Sequence, residues 1–260
     1  MYPPFDLSGR GIVVTGGNSG IGLGMARALL AAGARVAIWG SNPAKTAGAK
    51  AQLESEAPAT AGRVHAFVCD VGDEAQVDST FAASVAALGG TVHACFANAG
   101  VSGFGQAFTE LGLDEFRRVL RINTEGVFLT LRAATRHMVA HGQGGSLVAT
   151  ASTAALEGAA RNSHYGASKG AVVSFVRALA VELARHRIRV NSLLPGWIES
   201  EMTTSVFANE RFRSSVLPRI PARRWGVADD FGGIAVYLAS DASSYATGEQ
   251  FVIDGGYTKF

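Results

Sequence analysis

One tyrosine and one lysine are spaced for acid–base chemistry. Tyr165 and Lys169 lie four positions apart near the start of a segment with helical periodicity, Ser163 to Ala184, so both side chains should face the same small volume. A free phenol ionises near pH ~10, and a cation a few ångströms away is expected to lower that pKa toward neutrality. Such a phenol could exchange a proton with an alcohol oxygen. Ser152, thirteen residues before the tyrosine, supplies a hydroxyl to the same region.

A Tyr-x-x-x-Lys pair alone is a common surface pair on helices, so its context matters. Here the run from Ser152 to Gly170 reads Ser-(x)12-Tyr-(x)3-Lys, which resembles the active-site run of the short-chain dehydrogenase/reductase family. The resemblance implies hydride transfer between a nicotinamide cofactor and a secondary alcohol or ketone. It assigns proton exchange to Tyr165, binding of the nicotinamide ribose to Lys169, and a hydrogen bond to the substrate oxygen to Ser152.

A glycine-rich turn lies near the start of the chain. The β-branched run Gly11 to Thr15 is followed by G-G-N-S-G-I-G and a helical stretch through Ala32. This strand, turn and helix order is the context in which a pyrophosphate binds at a helix N-terminus. The alternative is a glycine turn that only packs the helix on the strand. The spacing resembles the family's Thr-Gly-x-x-x-Gly-x-Gly, which assigns the turn to the cofactor through Gly16, Asn18, Ser19, Gly20, Ile21 and Gly22.

The end of the predicted second strand, Arg35 to Trp39, bears on the choice of cofactor. NAD-binding folds of this kind place an acid about 20 residues beyond the glycine turn to bind the ribose 2′-hydroxyl. Here the aligned position is Gly40, followed by Ser41 and Asn42, so no carboxylate repels a 2′-phosphate. This favours NADP(H), with Ser41 and Asn42 as donors, and leaves NAD(H) open. We interpret Lys45 as a solvated helix residue rather than a phosphate ligand.

The resemblance extends the cofactor site to the ends of later strands. Asp70 and Val71 follow a predicted strand, Val64 to Cys69, and are assigned to the adenine; Asp70 could instead cap the helix that begins near Asp73. The family's Asn-Asn-Ala-Gly and Pro-Gly-x-Ile-x-Thr motifs have counterparts here. They add Asn98, Gly100, Pro195, Gly196, Ile198 and Ser200.

Asn123 lies in the middle of a long predicted helix, Leu113 to Ala140. An asparagine on an apolar helix face lowers stability unless it is hydrogen-bonded. The resemblance makes Asn123 the fourth catalytic residue. Its backbone carbonyl, exposed by a local break in the helix, is expected to hold a water that connects to Lys169.

The segment after the predicted sixth strand is long and has no strand pattern. Segments of this kind often act as lids, and we predict a substrate lid at about 197–225. Trp197 and Met202, with Val206 and Phe207, could present an apolar wall to a substrate that also contacts Ser152 and Tyr165. Three arginines in this segment could attract an anionic substrate or form ion pairs with Asp229 and Asp230; they are Arg219, Arg223 and Arg224.

Strand and helix signals alternate along the whole chain. They predict an α/β protein with a doubly wound seven-stranded parallel sheet, a Rossmann fold, in a single domain spanning 1–260. The composition of 48% hydrophobic residues, 17% charged residues and 32 glycines suits a sheet that is buried on both faces. The resemblance further implies a homotetramer.

Charge and hydropathy exclude several other classes of protein. The net charge of +2 gives no electrostatic basis for binding nucleic acid or a membrane surface. No apolar run reaches the roughly 18 residues of a membrane span, and the first ten residues lack a signal-peptide pattern, so we expect a cytoplasmic protein. Cys69 and Cys95 end apolar runs and receive no disulfide or catalytic role. His137 and His141 are spaced i, i+4, but without a third ligand we predict cations near a helix end rather than a metal site.

Two other functions are compatible with these motifs. A catalytically silent dinucleotide-binding sensor or scaffold would share the fold. An epimerase or dehydratase of the same fold usually carries a different glycine turn. Four catalytic residues together, Ser152, Tyr165, Lys169 and Asn123, favour the oxidoreductase.

Overall fold

Seven parallel strands form the centre of the protein in a computed structural model that describes residues 3–57, 60–103 and 105–259. The outermost residues of the predicted range 1–260 lie outside the description. The strands, in chain order, are β1 (Gly11–Thr15), β2 (Arg35–Gly40), β3 (Val64–Val68), β4 (Ala94–Ala97), β5 (Gly145–Thr150), β6 (Ile188–Pro195) and β7 (Gln250–Ile253). Their order in the sheet is β3-β2-β1-β4-β5-β6-β7, with every neighbouring pair parallel. This confirms the predicted doubly wound Rossmann fold.

Helices cover both faces of the sheet. They are α1 (Gly20–Ala31), α2 (Pro43–Glu56), α3 (Glu74–Ala87), α4 (Leu113–Leu120), α5 (Gly126–His141), α6 (Ser163–Leu183), α7 (Thr204–Phe207), α8 (Glu210–Val216) and α9 (Gly232–Ala239). Helices α1, α2 and α9 pack on one face and α3, α5 and α6 on the other, and each layer encloses its own apolar core. Because β1 and β4 are buried on both faces, their sequences are continuous apolar runs rather than alternating ones.

The order in which strands are added to the sheet reverses between β1 and β4. From β1 the chain adds β2 and β3 on one side, then crosses back to place β4 against the other edge of β1, with Ile12 opposite Ala94. Loops that leave the carboxyl ends of these two strands therefore diverge and open a crevice between them. In open α/β sheets this is where ligands bind.

The long helix predicted for Leu113 to Ala140 contains a break. Helix α4 continues through a π-helical turn at Arg121–Glu125 into α5, which ends at His141. The extra residue in a π turn displaces the ladder of backbone hydrogen bonds, and such turns are frequent at functional sites. The local break expected around Asn123 is therefore present.

The charge of His137 differs from the sequence prediction, whereas the two cysteines are as predicted. His137 accepts a hydrogen bond from the backbone N–H of Val92, and burial lowers its pKa, so the expectation that His137 is a cation is wrong. Both cysteines are free and buried, and burial raises the pKa of Cys95 to about 12, as fits a small apolar side chain.

Within the described ranges, the helices are all too short or too polar to cross a lipid bilayer.

Candidate active site

A groove of about 430 Å³ runs along the carboxyl ends of the strands. Its walls contain nearly all of the predicted cofactor residues, together with Ser152, Tyr165 and Lys169, three of the four predicted catalytic residues. Of the predicted site residues, Gly22, Asn123 and Trp197 lie behind the surface of the groove rather than in it. The cofactor residues in the walls are Gly16, Asn18, Ser19, Gly20, Ile21, Ser41, Asn42, Asp70, Val71, Asn98, Gly100, Pro195, Gly196, Ile198 and Ser200.

The glycine turn at one end of the groove has the shape of a phosphate cradle. Gly16 and Gly20 have positive φ angles of 63° and 49°, which favour glycine. A Cβ on Gly22 would lie 2.2 Å from the Gly16 carbonyl oxygen, so the turn can close only without a side chain there. A Cβ on Gly20 would meet only Ser200, at 3.5 Å, so the turn faces open space. Among the described residues, the Ser19 side chain caps none of the first amides of α1, which leaves them for an anion.

The end of β2 has no room for an acidic side chain. A Cβ on Gly40 would lie 2.1 Å from Nδ2 of Asn18, which donates a hydrogen bond to the Thr46 hydroxyl at 3.1 Å. Thr46 in turn donates to the Asn42 carbonyl oxygen at 2.7 Å. A carboxylate at position 40 would therefore displace a bonded network. Glycine at this position therefore leaves the hydrogen-bonded side chains of Asn18 and Thr46 in place and adds no negative charge.

Lys45 forms an ion pair that the sequence does not indicate. It lies on the first turn of α2, where its backbone N–H donates to the capping side chain of Asn42 at 2.9 Å. Its side chain is 31% exposed, and its ammonium pairs with Glu201, which also lines the groove. The sequence gives no sign of this pair because 156 positions separate the two residues.

Asp70 is held by contacts other than a helix cap. Its Oδ1 accepts from the backbone N–H of Gly72 at 2.9 Å, and its Oδ2 pairs with Arg121 at 3.0 Å. Asp73 caps α3 instead, by accepting from the backbone N–H of Gln76 at 3.1 Å. The capping alternative for Asp70 is therefore wrong. Its neighbour Val71 is buried beside Gly126, where any side chain would collide with it.

Asn98 and Thr15 join the ends of three strands. The Thr15 hydroxyl accepts from the backbone N–H groups of Asn98 and Ala99, each at 3.0 Å. Asn98 Nδ2 donates to the Thr15 carbonyl oxygen at 3.1 Å, and its Oδ1 accepts from the Thr150 hydroxyl at 3.0 Å. The floor of the groove is thereby fixed across β1, β4 and β5.

Lys169 is buried beside the tyrosine. Its side chain is 3% exposed, and its Nζ lies 5.7 Å from the centre of the Tyr165 ring. The ammonium donates to the Thr150 carbonyl oxygen at 2.8 Å. Burial lowers the pKa of Lys169 to about 8, because the charged form loses its hydration.

The pKa of Tyr165 shifts opposite to the expected direction. Burial raises it, and a hydrogen bond with Ser152 acts in the opposite sense without reversing the shift. The lysine fails to lower the phenol's pKa here because its ammonium lies over the ring and directs its hydrogen bond to Thr150. The phenol is therefore protonated at neutral pH.

Asn123 connects the π turn to the loop after β4. Its Oδ1 accepts from the backbone N–H of Val101 at 2.8 Å, and its Nδ2 donates to the Val101 carbonyl oxygen at 3.0 Å. Nδ2 also lies 3.2 Å from the Ser168 hydroxyl on α6. The side chain is fully buried, and these bonds satisfy it as the sequence argument requires. The residue thus ties the helix carrying Tyr165 to one wall of the groove.

The 197–225 segment folds around an aromatic cluster, which we define as Trp197, Phe207, Phe212, Trp225 and Tyr257. The rings of Phe207 and Trp225 are stacked with centroids 4.1 Å apart, and Trp197 meets Phe212 edge-on at 4.9 Å. Trp197 and Phe207 therefore face this cluster, and Trp197 does not line the groove, so its contact with a substrate stays a prediction. Of the four residues predicted for the apolar wall, Met202 lines the groove and is 45% exposed, whereas Trp197, Val206 and Phe207 do not line it.

The arginines of this segment are engaged locally. Arg224 pairs with Asp230 at 2.6 Å, while Asp229 pairs with Arg27 of α1. Arg223 donates to the Pro218 carbonyl oxygen, and the guanidinium of Arg219 lies 4.6 Å from the centre of the Tyr257 ring. The ion-pair alternative is therefore confirmed for Arg224.

Sequence reasoning missed His164, which directly precedes Tyr165. Its ring is buried beneath Gly103, where a Cβ would lie 2.2 Å from Nε2. That nitrogen lies 3.7 Å from Oε1 of Glu115, and neither ring nitrogen has a hydrogen-bond partner in the described ranges. Arg118 pairs with Glu115 and donates to the Ser102 carbonyl oxygen at 2.8 Å. No motif marks this cluster, because its members come from two helices and a loop.

Comparison with known protein families gives a match over most of the chain. The sequence profile of a family described as enoyl-(acyl carrier protein) reductase matches residues 16–258.

Individual relatives align over nearly their full length. A 2,5-dichloro-2,5-cyclohexadiene-1,4-diol dehydrogenase from Sphingobium indicum is 36% identical over 254 residues, which cover 97% of this chain and 98% of the relative. An L-rhamnose 1-dehydrogenase (NAD(P)(+)) from Sphingomonas is 36% identical over 250 residues, with 96% of each chain covered. Among solved structures, a gluconate 5-dehydrogenase from Burkholderia cenocepacia in complex with NADP and tartrate superposes with a TM-score of 0.91 at 32% identity, covering 99% of this chain and 98% of the other.

Proposed function

Because the chain belongs to the short-chain dehydrogenase/reductase family, whose members are NAD(P)-dependent oxidoreductases of alcohols and ketones, we propose that its groove binds the cofactor and that Tyr165 carries the proton. The strongest support is that the glycine turn and the predicted catalytic residues line the same groove. The glycine turn lies at one end, and Ser152, Tyr165 and Lys169 line the same cavity. A bound dinucleotide and the acid–base group would therefore be neighbours.

The residues present fit a dinucleotide. The open glycine turn and the uncapped start of α1 would hold the pyrophosphate, and Asp70 and Val71 would contact the adenine. Ser41 and Asn42, together with the steric exclusion of a carboxylate at Gly40, support a preference for NADP(H) over NAD(H). When bound, the nicotinamide supplies or accepts the hydride.

The side chains at the other end of the groove would donate the proton and stabilise the negative charge that develops on the substrate oxygen. Tyr165 is protonated at neutral pH because burial raises its pKa, which suits donation to a carbonyl oxygen during reduction. The Ser152 hydroxyl would hydrogen-bond the same oxygen as it gains negative charge. Lys169, charged below its pKa of about 8, would stabilise that charge and bind the nicotinamide ribose. Asn123 would present its backbone carbonyl to the proton-relay water.

Small hydroxylated substrates fit the remaining features of the site. Relatives act on a cyclohexadienediol and on L-rhamnose, as their names state, and a related structure carries tartrate beside NADP. We propose a sugar, polyol or 3-oxoacyl-type substrate that enters beneath the 197–225 segment and contacts Met202. The segment would act as a lid over a single domain.

A homotetramer is the proposed assembly. Apolar side chains remain exposed on α5 and α6, including Phe128, Val139 and Val181, and Phe128 stacks against Phe175 with centroids 6.3 Å apart. Exposed apolar patches of this kind often mark subunit contacts.

The direct test is a spectrophotometric assay with both cofactors. NADPH and NADH are each incubated with the protein and a panel of sugar, polyol-derived and 3-oxoacyl ketones, and the loss of absorbance of the reduced nicotinamide is followed. We expect turnover with at least one substrate class, faster with NADPH. A protein that binds nucleotide tightly and oxidises it with none of the panel would support the silent dinucleotide-binding alternative.

A further inference from the structure

The ion pair between Lys45 and Glu201 joins two residues that line the groove, one from the start of α2 and one from the segment after β6. Lys45 is on the first turn of α2, in the wall that also contains Ser41 and Asn42. Glu201 follows Ser200 in the opposite wall, and the two side chains meet between them. No other ion pair recorded among the described residues joins the two walls of this groove.

Lys45 lies where a cation could distinguish the two nicotinamide cofactors. The 2′-substituent of the adenosine ribose is recognised just beyond the end of the second strand of a dinucleotide-binding fold. In this chain that strand ends at Gly40, and Lys45 is the first cationic residue after it. The start of the 14-residue helix α2 adds the positive end of its dipole to the same corner.

Glu201 provides the second observation, because its carboxylate already occupies the anion position next to that ammonium. A 2′-phosphate would have to displace the carboxylate, or bind beside it against like-charge repulsion. A 2′-hydroxyl carries no charge and meets no such competition. The side chain of Glu201 is 75% exposed and that of Lys45 is 31% exposed, so the carboxylate can swing out while the ammonium stays at the wall.

Resting on the proposed cofactor function, we infer that Glu201 is a specificity-determining residue that competes with the 2′-phosphate of NADP(H) for Lys45. In this arrangement Lys45 is the phosphate ligand and Glu201 reduces the advantage of NADP(H) over NAD(H). The two side chains together set the ratio of affinities for the two cofactors. They leave the binding of the parts that the cofactors share nearly unchanged.

The test compares the dissociation constants of NADPH and NADH, which differ only at the 2′-position, by titrating nucleotide fluorescence without substrate. Glu201→Gln should tighten NADPH about threefold to tenfold and change NADH by less than about twofold, the range expected for a partly exposed ion pair. Lys45→Met should weaken NADPH about tenfold with little effect on NADH. The double variant should match Lys45→Met, because Glu201 acts only through the lysine.

Two further variants serve as controls, because they make the same changes of charge at positions outside the groove. Glu199→Gln removes an exposed carboxylate two positions from Glu201, and Lys50→Met removes an exposed ammonium from the same helix as Lys45. Neither residue lines the groove, so neither variant should change the ratio.

Three results would count against the inference. An unchanged ratio in Glu201→Gln, or weaker NADPH binding in that variant, would overturn it while leaving the cofactor proposal intact. A gain in the double variant equal to that in Glu201→Gln alone would show that Glu201 acts without Lys45, and would also overturn it. A native protein that binds neither nucleotide would instead refute the cofactor proposal itself.

Discussion

The ammonium of Lys169 is anchored to the carbonyl oxygen of Thr150, 2.8 Å away at the end of β5. The bond fixes the lysine beneath the groove, but it is the only hydrogen bond recorded for this ammonium among the described residues, and the side chain is 3% exposed. A buried cation with so little compensation lowers the stability of the fold. We therefore expect this arrangement to have a measurable effect on folding.

Replacing Lys169 by methionine should stabilise the protein at neutral pH. Burial lowers the pKa of Lys169 from 10.5 to about 8, so the folded state binds fewer protons than the unfolded state between these values. The buried charge thus costs most below pH 8, up to about 3 kcal/mol, and the cost fades as the pH rises toward 10.5. The lost bond to Thr150 offsets part of this, which leaves a net gain of about 1 to 3 kcal/mol at pH 7.

Urea unfolding of Lys169→Met and of the native protein at pH 7 and at pH 10 measures this effect. The gap in the free energy of unfolding should narrow markedly at pH 10. Lys50→Met, which removes a lysine on α2 whose side chain is 43% exposed, should show no such dependence. A gap of equal size at both pH values would show that Lys169 is not held with a lowered pKa.

Tyr165→Phe should remove most of kcat while cofactor binding persists. The substitution deletes one hydroxyl and preserves the ring, so it removes the proton donor, whose contribution is about 10²- to 10⁴-fold. NADPH affinity should stay within about threefold, since the ring continues to pack in the wall. Steady-state kinetics and fluorescence titration measure the two effects. Tyr245→Phe, at a fully exposed tyrosine, is the control, and near-normal turnover of Tyr165→Phe would refute the proposed role.

Gly22→Ala should damage both stability and nucleotide binding. The added Cβ would lie 2.2 Å from the Gly16 carbonyl oxygen, a backbone atom, and 2.6 Å from Asn98 Nδ2, in an amide that hydrogen bonds with Thr15 and Thr150 hold in place. We expect a loss of about 1 to 3 kcal/mol in the free energy of unfolding and weaker NADPH binding.

Gly48→Ala, in the interior of α2, should instead increase stability. No described atom lies within 4 Å of a Cβ built on Gly48, so alanine should add about 0.5 to 1 kcal/mol of stability through helix propensity. Thermal unfolding of both variants makes the comparison. If Gly22→Ala were as stable as the native protein, the tight closure of the turn would be disproved.

Trp225→Ala should loosen the 197–225 segment. It removes the partner of a 4.1 Å ring stack with Phe207 and opens one side of the aromatic cluster. We expect faster limited proteolysis within the segment and a raised KM for substrate, with a smaller change in kcat. Tyr245→Ala is the matched aromatic deletion outside the cluster, and equal cleavage rates in the two variants would contradict the proposed lid.

The fold could be predicted because its signals are local. The β-branched run ending at Thr15 and the glycine turn after it specify a strand, a turn and a helix whatever the rest of the chain does. The positions of Tyr165 and Lys169 follow from helical spacing in the same way. Strand ends were less certain: β2 is Arg35–Gly40 rather than Arg35 to Trp39, and β3 ends at Val68 rather than at Cys69, since hydrogen bonding to neighbouring strands sets these limits.

The errors at the site concern partners that sequence spacing does not reveal. The partner of Lys169 is a backbone oxygen, which every residue possesses, so no residue type marks it. Burial raises the pKa of Tyr165, whereas a nearby lysine charge would lower it. Only the structure shows that the effect of burial is the larger one. Trp197 adjoins a cofactor motif, yet its aromatic neighbours from later in the chain draw it away from the groove.

Main-chain atoms are the partners in most of the bonds that fix the site. Lys169 is held by the carbonyl of Thr150, Asn123 by both peptide groups of Val101, and Asn98 by the carbonyl of Thr15. Peptide groups stay in place when neighbouring side chains are exchanged. If the 197–225 segment is the substrate lid we propose, its sequence can be exchanged without moving these bonds, and grafting a relative's 197–225 segment onto this scaffold should change the substrate.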